Sequence, residues 1–243
     1  MKYFIISDIH EDFYSLENVL NFITKEECYK VISLGDNVGF SEHYNFKNTI
    51  NRRNADKSID LLIEEKVISI LGNHDFNFLN KAPKNSFYLI NNITIDQRWL
   101  YEDELKTTFN DRSNVNYLDD LDELFIDGNV LFSHFLFPDL SGMLKLTKES
   151  IKSLVKTHFL FMDSSGLKIS FVGHTHIKFP LIISDNGQEF KLLNTEDEIK
   201  LNFKENSYIV FCPPILSYLS KKSSFVSYCD QSRTIKHWCI NAN

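Results

Sequence analysis

A chain of 243 residues, 43% hydrophobic and 24% charged with 21 Phe and 10 Tyr, has the composition of a soluble globular protein and excludes intrinsic disorder. Its formal net charge of −7 argues against binding nucleic acid through a basic face. A phosphate substrate is not excluded, because bound divalent cations would invert the local field. Cys28, Cys212, Cys229 and Cys239 lack metal-type spacing and are expected to be reduced thiols. No stretch approaches the roughly 18 apolar residues that span a bilayer, and the chain opens on a strand rather than a leader. No membrane association and a cytoplasmic location are therefore expected; the oligomeric state is left open.

In chain order, the pattern predicts strand 2–7, helix 13–25, strand 30–35, helix 54–65 and strand 67–71. The first helix carries Phe13, Leu16, Val19, Leu20 and Ile23 at helical spacing, so its apolar stripe should pack on a sheet. This βαβαβ order favours parallel pairing with right-handed crossovers. Between residues 75 and 130 the sequence turns acidic, aromatic and Asn-rich, with helices expected at 94–105 and 114–121. Asp119, Asp120, Asp122 and Glu123 read as a solvated helix end rather than a calcium loop. A strand up to His134, a loop containing Pro138, a helix near 148–158 and strand 168–172 follow. Short strands are expected at 179–184, 189–194, 207–212, 224–229 and 233–240, with 194–206 an exposed loop or hairpin tip. A second sheet packed on the first is the simplest way to bury both, and a single domain over 1–243 is expected.

Five short polar blocks each follow a strand-like apolar run: Asp8-Ile9-His10, Gly35-Asp36-Asn37, Gly72-Asn73-His74-Asp75, Ser133-His134 and Gly173-His174-Thr175-His176. Placed at the carboxyl ends of buried strands, they would converge on one sheet edge. Taken singly, His134 reads as a core histidine and Asp36 as a turn former; their conjunction in order points to a two-metal hydrolase. Five of the eight histidines lie in the blocks, leaving His43, His158 and His237 as bystanders.

The order DxH, GDx, GNHD, lone H and GHxH resembles the signature of the calcineurin-like metallophosphoesterases, over most of the chain. Ser7-Asp8-Ile9-His10 followed by Ser15-Leu16-Glu17-Asn18-Val19-Leu20 is similar to the opening of their small bacterial branch, and Trp99-Leu100 and Asn116-Tyr117-Leu118 resemble its intervening helical stretch. The resemblance implies a four-layer αββα sandwich of two mixed sheets. It also implies Asp8, His10, Asp36 and His176 around one divalent ion, and Asp36, Asn73, His134 and His174 around another, with Asp36 as bridge. The mixed oxygen and imidazole donors suit Mn²⁺, the first choice, or Fe, Zn²⁺, Co²⁺ or Ni²⁺ better than Mg²⁺ or Ca²⁺. His74 is then the catalytic histidine, which stabilises the phosphoryl oxygen and protonates the leaving group, with Asp75 orienting its ring or capping the following segment. The implied reaction is in-line attack on a small phosphorylated substrate by a metal-bridging hydroxide.

Three departures bear on substrate. Gly35-Asp36-Asn37-Val38-Gly39-Phe40 lacks the second Asp and the Arg of the GDxxDRG block of protein serine/threonine phosphatases, which disfavours that activity. Phe135 follows His134 where the branch usually has Gly, and is expected to narrow or roof the site. Phe211-Cys212-Pro213-Pro214-Ile215 stands where NPGS followed by VG is common. Phe135, Phe137 and Phe179 are expected to pack rather than stack a base, and Lys221-Lys222-Ser223 to form a solvated turn. The resemblance slightly favours a phosphodiester. The rivals are a phosphomonoesterase, a nucleotide pyrophosphohydrolase, or a protein-binding scaffold like the relative in the retromer coat, which lacks the histidine retained here as His74.

Overall fold

A computed structural model describes residues 1–27, 29–41, 52–84, 104–144, 148–217 and 222–241. Strand β1 (Lys2–Ile6) alternates so that Tyr3 and Ile5 face one way and Phe4 and Ile6 the other, and all four are buried. A strand buried on both faces must lie between layers. It pairs in parallel with β2 (Tyr29–Ser33), which pairs in parallel with β4 (Ile68–Ser69). On its other side β1 runs antiparallel to β14 (Lys222–Cys229), next to β15 (Thr234–Asn241) and β11 (Glu198–Lys200), and β13 (Leu216–Ser217) also pairs with β14.

The second sheet has the order β10 (Glu189–Lys191), β9 (Leu181–Ser184), β12 (Tyr208–Phe211), β8 (Ile169–Val172), β7 (Val130–Ser133), β6 (Leu124–Asp127). Strands β7, β8 and β12 are parallel and the flanking pairs antiparallel, so both sheets are mixed. Tyr3, Ile5 and Ile32 of the first sheet pack against Phe132, Phe171 and Val210 of the second.

Outside the first sheet lie α1 (Phe13–Ile23) and α2 (Ala55–Glu64), with Leu16, Val19, Leu20, Ile23, Ile59 and Leu62 buried against Phe4 and Ile6. Outside the second lies a long helix, Lys148–Ser164, whose Leu154, Val155 and Met162 pack on Leu131, Val172 and Ile209. The layer order is therefore α, β, β, α, as expected. Helix α1 starts where the Asp12 carboxylate accepts from Ser15 N at 3.1 Å, satisfying an orphan donor of the first turn.

Several expected elements are revised. Most of the expected helix 94–105, with Trp99 and Leu100, lies outside the described residues, as do His43, Cys28 and Lys221. Its last two residues instead form β5 (Glu104–Leu105), paired antiparallel with β3 (Phe40–Ser41). The segment 73–79 forms a short helix, α3 (Asn73–Leu79), with Gly72 at the N-cap. Asp75 is thus the third helical residue, not a cap, and reaches back to accept from Gly72 N at 3.0 Å. Helix α4 (Arg112–Asp119) begins earlier than expected because the Asp111 side chain accepts from Ser113 N. The helix 148–164, α5, is longer than its expected span. The polar stretch 194–206 contains edge strand β11, in which Ile199 packs on the core while Glu198 and Lys200 flank it. Asp119 pairs with Lys81 on the surface, as a solvated helix end should. No helix among the described residues is long and apolar enough to cross a membrane.

Phe132 stacks on Phe171 and Phe125 at ring separations of 5.5 and 5.8 Å and meets Tyr3 at 5.4 Å, fully buried between the sheets. Phe132→Ala should cost about 3–5 kcal/mol of stability, read from the urea midpoint, and a loss below about 1 kcal/mol would contradict this packing.

Candidate metal centre

The parallel triplet β1, β2 and β4 and the parallel pair β7 and β8 all end at the same edge of the sandwich, and each delivers one polar block there. The backbone stitches these ends together. Asp8 N donates to Gly35 O at 3.1 Å, His10 N to Asp36 O at 2.9 Å and Gly173 N to His134 O at 2.9 Å. A side chain on Gly35 would come within 2.5 Å of Gly72 N, so only glycine lets the two loops approach this closely. Among the described residues ten non-glycine residues have positive φ, and six of them are Asp8, His10, Glu11, Asp36, His174 and His176. Left-handed backbone costs about 1–2 kcal/mol per residue, so its concentration at one sheet edge marks a site held by its surroundings.

The side chains converge. His134 Nε2 lies 3.3 Å from Asp36 Oδ2 and 2.9 Å from Asn73 Oδ1, and His174 Nδ1 lies 2.9 Å from the same Asn73 oxygen. His176 Nε2 is 3.2 Å from Asp8 Oδ1 and 3.1 Å from His10 Nε2, which is 3.8 Å from Asp36 Oδ2. Two groups could each hold a metal ion, Asp8, His10, Asp36 and His176 in one and Asp36, His134 and His174 in the other, with all donor atoms of a group within 4.8 Å of one another. Asp36 belongs to both. All seven expected ligands thus meet in one place; five are at most 3% exposed, and His174 and His176 lie at the rim.

Tautomers follow from the outer partners. His10 Nδ1 faces Gly39 O at 2.6 Å and His134 Nδ1 faces Leu34 O at 2.8 Å; a carbonyl only accepts, so each Nδ1 carries the proton. Each Nε2 then presents its lone pair to the cluster, as a metal-ligating histidine does. For His134 that lone pair faces two oxygen acceptors, an arrangement that needs a cation or a second proton between them. Burial opposes charge on His134, but the Asp36 carboxylate overrides it and raises its pKa to about 9. Burial first, then neighbouring imidazoles, lower His10 and His174 to about 3, which keeps them neutral and able to ligate. Burial works against ionising Asp8 and Asp36, yet the imidazoles of His176 and His134 pull both below the usual carboxylate range. Ser7 Oγ donates to Asp8 Oδ2 at 2.5 Å, and His174 N donates to Asp8 at 3.2 Å.

His74, 5% exposed, donates its backbone N–H to Asp36 Oδ1 at 2.8 Å, and its ring meets that of His10 edge-on at 4.8 Å. Asp75 behaves differently from expectation. Its oxygens accept from Gly72 N, Asn37 N, Asn37 Nδ2 and Val38 N at 3.0–3.2 Å, so it ties the Asp36 loop to the Asn73 loop rather than orienting the His74 ring. Burial, with the Asp36 charge, raises its pKa to about 7. Asn37, which the sequence offered only as part of its block, also donates to Ile70 O at 3.0 Å and accepts from Ser33 Oγ at 2.7 Å.

Phe135 does not roof the site. It is fully buried, its ring 4.7 Å from that of His174, among Leu131, Leu136 and Met162. Phe137 stacks on Phe161, packing as expected. His158, outside the blocks, accepts from Phe137 N at 2.8 Å and so anchors the loop after His134; burial lowers it to about 3. His237 bonds Ser224 at 2.8 Å in the β14–β15 pair.

Comparison with known proteins agrees with this geometry. The chain is 29% identical over 221 residues to an uncharacterized protein of Methanocaldococcus jannaschii, MJ0912, a match that covers 85% of this chain and 72% of the relative. A metallophosphoesterase from Sphaerobacter thermophilus superposes with a TM-score of 0.68 at 19% identity, over 100% of this chain and 90% of that one. A protein assigned as a diadenosine tetraphosphatase gives 0.51 at 14% identity, over 100% and 95%. The family described as calcineurin-like phosphoesterase matches residues 1–178, which takes in all five ligand blocks. With a divalent metal centre implied by that family and a cluster of donors fit to hold it, the chain belongs to the calcineurin-like phosphoesterases and is a metal-dependent phosphoric ester hydrolase.

Proposed function

We propose that this protein, acting as one domain over 1–243, hydrolyses a phosphodiester at a dinuclear centre in which Asp36 is the shared carboxylate. The observation that carries this reading is the position of Asp36 Oδ2 between His10 Nε2 of one donor group and His134 Nε2 of the other. Asp8, His10 and His176 would complete the first ion's shell, and Asn73, His134 and His174 the second's. The mixed donors suit Mn²⁺ or another transition ion. Bound there, such ions supply Lewis acidity toward the phosphoryl oxygens and a nucleophile from water near neutral pH, the basis of in-line displacement.

The protein's own groups do the rest. His74 stands next to Asn73 with its backbone N–H on Asp36, and its ring meets that of His10 edge-on. That placement suits a hydrogen bond to a phosphoryl oxygen and proton donation to the leaving oxygen. Asp75 acts as a positioning residue, keeping Asp36 and Asn73 at a fixed separation through four hydrogen bonds. The diester preference comes from the family resemblance, and charge is consistent with it. None of the five blocks contains Lys or Arg, and a dianionic monoester would need more neutralisation than a monoanionic diester. Asn37, at the block where protein phosphatases carry an arginine further on, is committed to Asp75 and Ile70.

With Mn²⁺ restored, bis-p-nitrophenyl phosphate should be hydrolysed faster than p-nitrophenyl phosphate or a dinucleoside polyphosphate; the reverse order would move the assignment to a monoesterase or a pyrophosphohydrolase. A complete lack of turnover with tight capture of a protein would favour the scaffold.

His74→Ala should lower kcat by about 10²–10⁴-fold while metal content by elemental analysis stays near the wild-type level. Asp36→Asn should lose both, and full metal occupancy in that variant would rule out the bridging role.

A further inference from the structure

Glu11 follows His10, is 1% exposed and has a left-handed backbone at φ 64°. The chemistry proposed above makes no use of it. Its Oε2 meets Arg53 Nε at 2.5 Å, and its Oε1 accepts from Gly39 N at 3.2 Å and from the Thr107 hydroxyl. Arg53 also donates to Leu105 O at 3.2 Å and Lys106 O at 2.5 Å, and its guanidinium lies 5.7 Å from the Phe40 ring. The backbone repeats the connection, because Asn54 N donates to Glu11 O at 2.9 Å. One ion pair, buried at Glu11 and partly exposed at Arg53, therefore joins the loop after β1, strand β3, residues 53–54 and the end of β5.

The pair reaches the metal centre through Gly39. That residue gives its N–H to Glu11 and receives His10 Nδ1 at its carbonyl oxygen at 2.6 Å. We propose that Glu11 and Arg53 are positioning residues for the metal centre: by fixing Gly39 they hold the Nδ1–H of His10 and keep its Nε2 lone pair aimed at Asp8, Asp36 and His176. The inference rests on His10 being a ligand. Two physical points support it. A ligating histidine needs an acceptor at its second nitrogen to fix ring and tautomer, and here that acceptor has no side chain of its own to steady it. A buried charge that loses its partner must be rehydrated or moved, and either change would displace the peptide it holds.

The test uses the full chain stripped of metal and titrated with Mn²⁺ by calorimetry, with cooperative thermal unfolding as the check of fold. Glu11→Gln and Arg53→Lys should each weaken Mn²⁺ binding by about 10- to 100-fold, the range for loss of a partner behind a ligand. Lys30→Gln, which breaks the distant ion pair with Asp127, should leave affinity within about threefold of wild type. Folded Glu11 and Arg53 variants that bind Mn²⁺ as the wild type does, even with lowered Tm, would show a pair that only stabilises the fold and would overturn the inference. Should Glu11→Gln fail to fold, Arg53→Lys, which keeps the charge and loses the planar fork, decides alone. Wild-type protein that binds none of Mn²⁺, Co²⁺ or Zn²⁺ would overturn the ligand role of His10 itself, and the inference with it.

Discussion

Two buried carboxylates facing imidazoles from both sheets are the constraint on which the molecule depends. Asp8 and Asp36 are at most 2% exposed, and an isolated carboxylate in that position would carry a desolvation cost of several kcal/mol. The cost is offset only if positive charge arrives from close by, whether as a proton on His134 or as bound cations. Because β1 and β2 supply the carboxylates while β7 and β8 supply His134, His174 and His176, the offset requires both sheets to be stacked in register. The interface of Tyr3, Phe132, Phe171 and Tyr228 between the sheets is thus part of the site.

The left-handed residues show the same dependence from the side of the backbone. Five of the seven proposed ligands have positive φ, a conformation their side chains disfavour. Hydrogen bonds between strand-end loops keep them there: Asp8 to Gly35, His10 to Asp36, and Asp75 to the peptides of Asn37, Val38 and Gly72. Asp75 also explains why the third block ends in an acid. It is the tie between two ligand loops: burial raises its pKa to about 7, and the hydrogen bonds from Gly72, Val38 and Asn37 act against that rise by favouring the ionised acceptor.

Most of the site was legible in the sequence because each ligand block follows its own apolar run, and a strand end is a local property. Asp8, His10, Asp36, Asn73, His134, His174 and His176 could be gathered on paper by the rule that parallel strands deliver their carboxyl ends to one edge. What could not be read were contacts whose partners are far apart in sequence and lack periodicity. The Glu11–Arg53 pair spans 42 residues, and the β3–β5 ribbon consists of two-residue strands that no alternation can announce. Strand β11 was hidden because an edge strand between Asp197 and Leu201 reads as polar loop. Asp75 was misplaced by one structural step: taking the helix to begin after it, rather than at Asn73, turned a third-position acid into a cap.

The two departures from the family's pattern near the metals turn out to act from behind the site. Phe135 places an aromatic ring against His174, and Gly142, in the same loop, lies so close to that imidazole that a side chain there would approach Nδ1 to 2.7 Å. His174 is therefore confined between the Phe135 ring and the backbone at Gly142, close to the nitrogen that meets Asn73. In the stretch Cys212-Pro213-Pro214-Ile215, Cys212 N donates to Val172 O at 2.7 Å and Ile215 N donates to Ser7 O at 2.8 Å. One end is tied to the strand that precedes His174, and the other to the residue that precedes Asp8. A segment with two prolines has few conformations to lose on folding, so it can couple the two sheets at the site at low entropic cost without the glycine and serine common in relatives. The substitutions thus change how the ligands are braced and leave the donor set intact.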